Sequence, residues 1–193
     1  MGLGNVLFGR KKLKAPNQDA LFALTTACVT LQTELGLKPA GVGAVTYKSL
    51  SSGDFDRVDD DTEQLVKAAA RSSGGEVERK TDKYGYEWVI IHDKDIEDQV
   101  TAVYAVASEL TAQGFGGQLL AAPFRFDGGS FGSEHPVYWI YGFKRGKWWP
   151  FIPTGEGQNR DNAKELELKA KLEEELPIEP DLTRWLGLFD API

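Results

Sequence analysis

Apolar positions along the chain follow two different spacings, and each spacing assigns its stretch to an element. Leu21, Leu24, Cys28, Leu31 and Leu35 recur at steps of three and four, which places them on one face of a helix. Asn17 stands where an N-cap side chain accepts a backbone N–H, and Gly36 where a helix commonly leaves through a left-handed residue. Ile96, Val100, Val103, Ala107 and Leu110 repeat the pattern between Asp95 and Gly114, so a second helix with the same start and stop signals is predicted there. Charge marks two more. Asp59, Asp60 and Asp61 suit the positive end of a helix dipole and open a helix through about Arg71. Asn159 to Leu176 reads as a charged helix, with Glu165/Lys169 and Glu167/Lys171 at favourable i,i+4 spacing.

Shorter runs rich in β-branched and aromatic residues read as strands. They are Gly43 to Lys48, Glu76 to Thr81, Tyr86 to His92, Leu119 to Phe126 and Pro136 to Phe143. Asp82-Lys83-Tyr84-Gly85 joins the second and third of these as a hairpin. Lys144-Arg145-Gly146-Lys147 then turns the chain into Trp148-Trp149-Pro150-Phe151-Ile152, which Pro150 assigns to a sheet edge because proline brings no N–H to a ladder. Helices interrupted by hairpin-like strand pairs predict an α+β fold, with helices packed against a mostly antiparallel sheet. The succession of helix, glycine, short loop and strand occurs twice, the arrangement an internal duplication would leave. Residues 1–16 separate as a basic and apolar N-terminal arm, and residues 17–193 read as a single α+β domain. A chain of 193 residues, 41% hydrophobic, has enough apolar material for one core.

A formal charge of −7 sets the whole-protein field against phosphate backbones and argues against nucleic acid as a partner. Cys28 is the single cysteine, so no intrachain disulfide can form, and a reducing compartment, the cytoplasm, is expected. No apolar stretch reaches the length of a membrane span, and the first cations follow the short apolar run, the reverse of a secretory signal. The chain is expected neither to cross a membrane nor to be exported.

Residues with the means for catalysis are scattered. His92 and His135 have no second ligand at metal spacing, Cys28 sits on an apolar helical stripe, and the aspartates from Asp54 to Asp61 lack the calcium-loop pattern. The glycine-rich loop 127–135, with Ser130, Ser133 and His135, is where a small-ligand binder or enzyme would have to build its site, yet it has neither a nucleophile elbow nor a phosphate-binding loop. A non-enzymatic protein without a cofactor or metal is the expectation. Two features suit a partner instead. Leu3 and Leu7 beside Arg10 and Lys11 in the arm can lie against an anionic membrane surface or a protein. The aromatic hairpin around Arg145, Trp148 and Trp149 combines cations with ring faces, although strand alternation sends about half of its rings into the core.

Segments spread from end to end carry a family resemblance: Met1-Gly-Leu-Gly-Asn-Val-Leu-Phe-Gly-Arg, Pro16-Asn-Gln-Asp-Ala-Leu-Phe, Asp82-Lys-Tyr-Gly-Tyr-Glu-Trp, Gly114-Phe-Gly-Gly-Gln-Leu-Leu, Arg160-Asp-Asn-Ala-Lys-Glu-Leu and Leu176-Pro-Ile-Glu-Pro-Asp-Leu-Thr-Arg-Trp. Together they resemble the PspA-associated protein family PspAB. The resemblance implies a companion of PspA, the coiled-coil membrane-maintenance protein, and of an HtpX-like membrane protease, in a phage-shock type of envelope stress response. It implies no catalytic residues. The order of helices and strands is similar to that of type III secretion chaperones, an analogy of fold only. The reading that follows is an accessory adaptor that binds a protein partner at the cytoplasmic face of the membrane. A chaperone-like peptide-binding module, expected as a homodimer, and a small-ligand site at 127–135 are the alternatives.

Overall fold

The computed structural model describes residues 18–48, 75–128, 135–155 and 157–193. The arm, the helix expected at 59–71 and most of the 127–135 loop lie outside the described residues. The first periodic stretch folds as a 3-10 turn, Gln18–Phe22, that runs into helix α1, Ala23–Thr33. Its whole stripe, from Leu21 to Leu35, is buried, and Gly36 leaves it with φ 66°. The expected cap, Asn17, is not among the described residues; Phe22 takes the N-cap position of α1 without a side-chain hydrogen bond. Helix α2, Ile96–Ala112, begins as predicted, with the Asp95 carboxylate accepting from the Glu97 N–H at 2.8 Å. Helix α3, Asn162–Leu172, is shorter at both ends than its charge pattern suggested, because Asp161 is its cap and Arg160 is drawn into a bridge with Pro153.

Six strands form one sheet: β1 (Lys38–Lys48), β2 (Glu76–Thr81), β3 (Tyr86–His92), β4 (Leu119–Asp127), β5 (Val137–Gly142) and β6 (Lys147–Phe151). Their order is β2-β3-β1-β4-β5-β6, and every neighbouring pair is antiparallel. The α+β architecture with a mostly antiparallel sheet therefore holds. Strand β1 starts five residues before its predicted beginning. Its register against β4 shifts between Pro39 and Gly43, and Gly41 has φ 78°, so the alternation that marks a strand in sequence is broken there. Pro150 does lie in an edge strand, opposite Trp139. The two helix-glycine-strand units end side by side, β1 against β4 at the sheet centre. Beyond them the halves differ, since β4 next meets β5 whereas β1 next meets β3.

Alternation divides the strands between two faces. Val45, Tyr47, Val89, Ile91, Phe124, Phe126, Trp139 and Tyr141 join α1 and α2 in the main core. The approach is close: a Cβ at Gly43 would stand 2.8 Å from the Phe124 ring and 3.2 Å from Gln99 of α2. On the other face Val42, Ala44, Trp88 and Ile90 form a second cluster, covered by Leu188, Ala191 and Ile193 from the last segment of the chain. An antiparallel sheet often leaves one face to water; the apolar residues on both faces of this one require cover on both.

The β2–β3 turn anchors that second face. One Asp82 oxygen accepts the N–H groups of Tyr84 and Tyr86 at 2.8 and 3.0 Å, and the other accepts the Trp88 indole N–H at 3.0 Å. Burial raises the Asp82 pKa, but the donors from Trp88, Tyr86 and Tyr84 outweigh it, and the carboxyl lies below its usual range. A lowered folded-state pKa contributes stability that is present above the unfolded value and lost as pH falls through the folded one. Urea denaturation of the wild type should therefore show a loss of stability on acidification below about pH 4 that is shallower in Asp82→Asn. Equal acid slopes in the two proteins would show that the turn carboxylate does not contribute.

Candidate partner-binding surface

Strand alternation was expected to leave one face of the aromatic hairpin available. Tyr138, Trp139, Tyr141, Phe143, Trp148, Trp149 and Phe151 are instead all buried. Trp148, with no exposed surface, packs against Tyr141 and Phe124 and donates its indole N–H to the Ala20 carbonyl at 2.9 Å. Trp149 points to the opposite face, is 6% exposed, and donates to the Leu186 carbonyl at 3.0 Å. The expectation that these two rings meet a partner is corrected: they are core residues, because chain segments from both ends of the domain cover the two faces. A Cβ at Gly142 would stand 2.6 Å from the Trp149 ring, so glycine is needed for that packing.

The turn keeps its cations outside. Lys144 is exposed, and Arg145, with half of its side chain exposed, pairs its Nε with the Glu179 carboxylate, of which 1% is exposed. The other Glu179 oxygen accepts the Asp181 N–H at 3.1 Å, and the Glu179 carbonyl accepts the Trp185 indole N–H at 2.9 Å. Of the sequence-selected contact residues, Arg145 is thus the one on the described surface. Leu3, Leu7, Arg10 and Lys11 lie outside the described residues. So do residues 129–134 of the loop; His135 and Asp127 bound it, and Asp127 accepts from Arg125 Nε at 3.3 Å. Cys28 is buried as expected, with its thiol pKa raised by burial and Gln32 Nε2 at 3.0 Å from its sulfur. Among the described residues no group of three or more His, Cys, Asp and Glu could hold a metal, and no helix is long and apolar enough to cross a membrane.

From Trp185 the network continues into a cleft. Arg160 donates to the Trp185 carbonyl at 2.7 Å and, through Nε, to both Glu165 oxygens at 2.9 Å, while its guanidinium lies 5.0 Å from the Phe151 ring centre. Glu165 also accepts the Ile152 N–H at 2.8 Å. The i,i+4 pair expected for Glu165 with Lys169 is corrected: Glu165 shares the inward stripe of α3 with Leu168 and Leu172, and Lys169 reaches Glu173 instead. Arg160, Asn162, Glu165, Leu166, Leu182 and Trp185 line a cleft of about 110 Å³. Leu166 and Leu182 remain exposed at its mouth. Exposed leucines at a cleft that also holds Arg160 and Glu165, with Lys164, Asp181 and Arg184 close to them in the chain, have the anatomy of a protein contact. Sequence reading missed it, although Leu166, an apolar residue off the stripe of a charged helix, was the available signal.

Among the described residues the molecule is an α+β protein with one six-stranded antiparallel sheet covered on both faces, and a cleft between α3 and the Leu182–Trp185 segment presents two exposed leucines. The family model described as PspA associated protein B, PspAB, matches residues 1–193, and the chain belongs to that family. The description implies association with PspA, and so an accessory role with a protein partner. Comparison with curated proteins and with solved structures found no match.

The Arg160–Glu165 pair is set in the fold by burial, so removing one partner is costly. Glu165→Ala leaves the largely buried Arg160 guanidinium without its carboxylate and the Ile152 N–H without its acceptor, and should lower stability by about 3–5 kcal/mol in urea denaturation. Glu165→Gln, which keeps an acceptor for Ile152, should lose less. Equal losses in the two variants would show that packing at this position matters more than the hydrogen bonds.

Proposed function

We propose that this protein is a non-enzymatic adaptor of a PspA-type envelope stress response, which binds PspA at the cytoplasmic face of the membrane. The observation that carries the reading is the match of the PspAB family model to the whole chain, whose description associates such proteins with PspA. The contact surface comprises Arg145 and the Leu166/Leu182 cleft, which buried Glu179 and Trp185 connect from beneath. Exposed leucines supply area that loses water on contact, and the charged rim fixes orientation and speeds encounter. The N-terminal arm, with Leu3 and Leu7 beside Arg10 and Lys11, adds an attachment to anionic lipid, each cation near the surface contributing roughly 1 kcal/mol. Neither element needs a catalytic group. An HtpX-like protease is a further partner that this context allows.

Purified PspA should be retained by the wild type and lost about tenfold or more in affinity by Leu166→Asp with Leu182→Asp, since hot-spot residues at the centre of a contact carry that much. Unchanged affinity in a variant that keeps its thermal transition would remove the cleft as the contact. With anionic liposomes, sedimentation that depends on residues 1–14 and weakens with salt is expected. If neither PspA nor liposomes retain the protein under any condition, the adaptor reading fails.

A further inference from the structure

The segment that covers the second face is attached unevenly along its length. Its root is fixed by buried groups: Trp185 through Arg160 and Glu179, and Leu186 through the Trp149 indole. Past that point Gly187 is packed so closely that a Cβ would stand 2.4 Å from the Phe189 ring. Residues 187–193 then cross the sheet without entering any of its strands, and none of them is fully buried. Phe189 meets Phe151 edge to face with centroids 5.0 Å apart. Leu188, Ala191 and Ile193 cover Val42, Ala44, Trp88 and Ile90. The far end is held by two exposed contacts and one part-buried hydrogen bond. Asp190 pairs with Lys83 at 3.1 Å, both side chains about half exposed, and accepts from the Tyr84 hydroxyl at 3.0 Å. The Tyr138 hydroxyl donates to the Ile193 carbonyl at 3.1 Å.

The face beneath differs in kind from its cover. It consists of paired strands with four almost fully buried apolar side chains, and its ladders are made among the strands themselves, with no strand contributed by the segment above. An exposed ion pair such as Lys83–Asp190 contributes little stability, so the far end is held chiefly by the apolar cover of Leu188, Ala191 and Ile193 and by the Tyr138 bond, contacts that a peptide of like composition can replace while the root stays fixed. We propose that residues 187–193 form a displaceable strap, and that the sheet face under it is a groove for an extended apolar peptide of a partner protein bearing one carboxylate. The strap itself defines the chemistry of the occupant. Leucine, phenylalanine and isoleucine side chains fill the apolar floor, and a single acid reaches Lys83 and Tyr84 at the β2–β3 turn. The groove lies on the sheet, apart from the Leu166/Leu182 cleft, and the strap acts as its internal competitor.

Full-length protein tests this with a fluorescent peptide of residues 186–193, Leu-Gly-Leu-Phe-Asp-Ala-Pro-Ile. Asp190→Asn weakens the strap's latch but not the peptide's own acid, so the variant should bind the peptide about two- to fivefold more tightly than wild type, the range set by an exposed ion pair. Adding Lys83→Ala should abolish that gain, and a scrambled peptide should not bind. Hydrogen exchange in Asp190→Asn should quicken at residues 187–193 while the amides of Ala44 and Ile90 keep their protection. The proposal is overturned if neither protein binds the peptide, or if strap amides exchange only together with the sheet. Concentration-dependent dimerisation of Asp190→Asn without peptide binding would also overturn it, in favour of strap exchange between copies. Loss of PspA retention would not bear on these readouts, so the two readings fail separately.

Discussion

Strand β6 is the point at which this fold closes, and its two consecutive tryptophans set the arrangement. Adjacent residues of a strand face opposite sides. Trp148 therefore reaches the helix face and holds the turn before α1 through the Ala20 carbonyl, while Trp149 reaches the other face and holds the root of the final segment through the Leu186 carbonyl. The outer edge of the same strand, open to pairing with another chain if left bare, is closed from within. Trp148 exchanges hydrogen bonds with Pro177 and Glu179, Pro150 brings no N–H and its carbonyl faces Arg160, and just beyond the strand Ile152 is bonded to Glu165 and Asp161. One five-residue strand thus connects both ends of the domain and removes one of the two sheet edges from contact.

This closure determines which side chains are left at the surface near β6. The rings that a sequence reading offers to a partner are consumed in holding the fold, and the surface passes to residues attached to them at one remove. Arg145, Glu179, Trp185 and Arg160 form a chain of ion pairs and hydrogen bonds from the β5–β6 turn to the Leu166/Leu182 cleft. Buried charges of this kind are expensive unless every oxygen finds a partner. Glu165 and Glu179 do, and the result is a rigid base beneath exposed leucines. A surface supported in this way loses little side-chain freedom on meeting a partner, which suits the contact proposed above.

The two ends of the sheet answer the same problem differently. At β6 the cover is rigid and buried, whereas at the β2–β3 hairpin the last residues arrive through half-exposed contacts of Asp190 with Lys83 and Tyr84. Stability in a protein is seldom uniform, and the parts that open first are those held by exposed hydrogen bonds and few buried contacts. Here that difference falls along a single segment, held by buried groups at Trp185 and by exposed ones at Asp190.

Much of the fold is legible in the chain. The stripes Leu21 to Leu35 and Ile96 to Leu110, the glycine stops at Gly36 and Gly114, the Asp82 turn and the edge position of Pro150 all follow from local rules, because helical period, strand alternation and backbone donors belong to a residue and its near neighbours. Family membership was legible as well, since its segments run the length of the chain. The start of β1 was not, because a bulge near Pro39 and Gly41 interrupts alternation. Neither was the burial of Trp149, the inward turn of Glu165 nor the cleft at Leu166. By itself the sequence determined most of the described helices and strands, and that they compose an α+β fold of this family. Only the tertiary structure decided that neither aromatic face stays open, because that depends on contacts such as Trp148 with Ala20, 128 positions apart, and Tyr138 with Ile193, 55 apart, and contacts between distant residues leave no period in the chain.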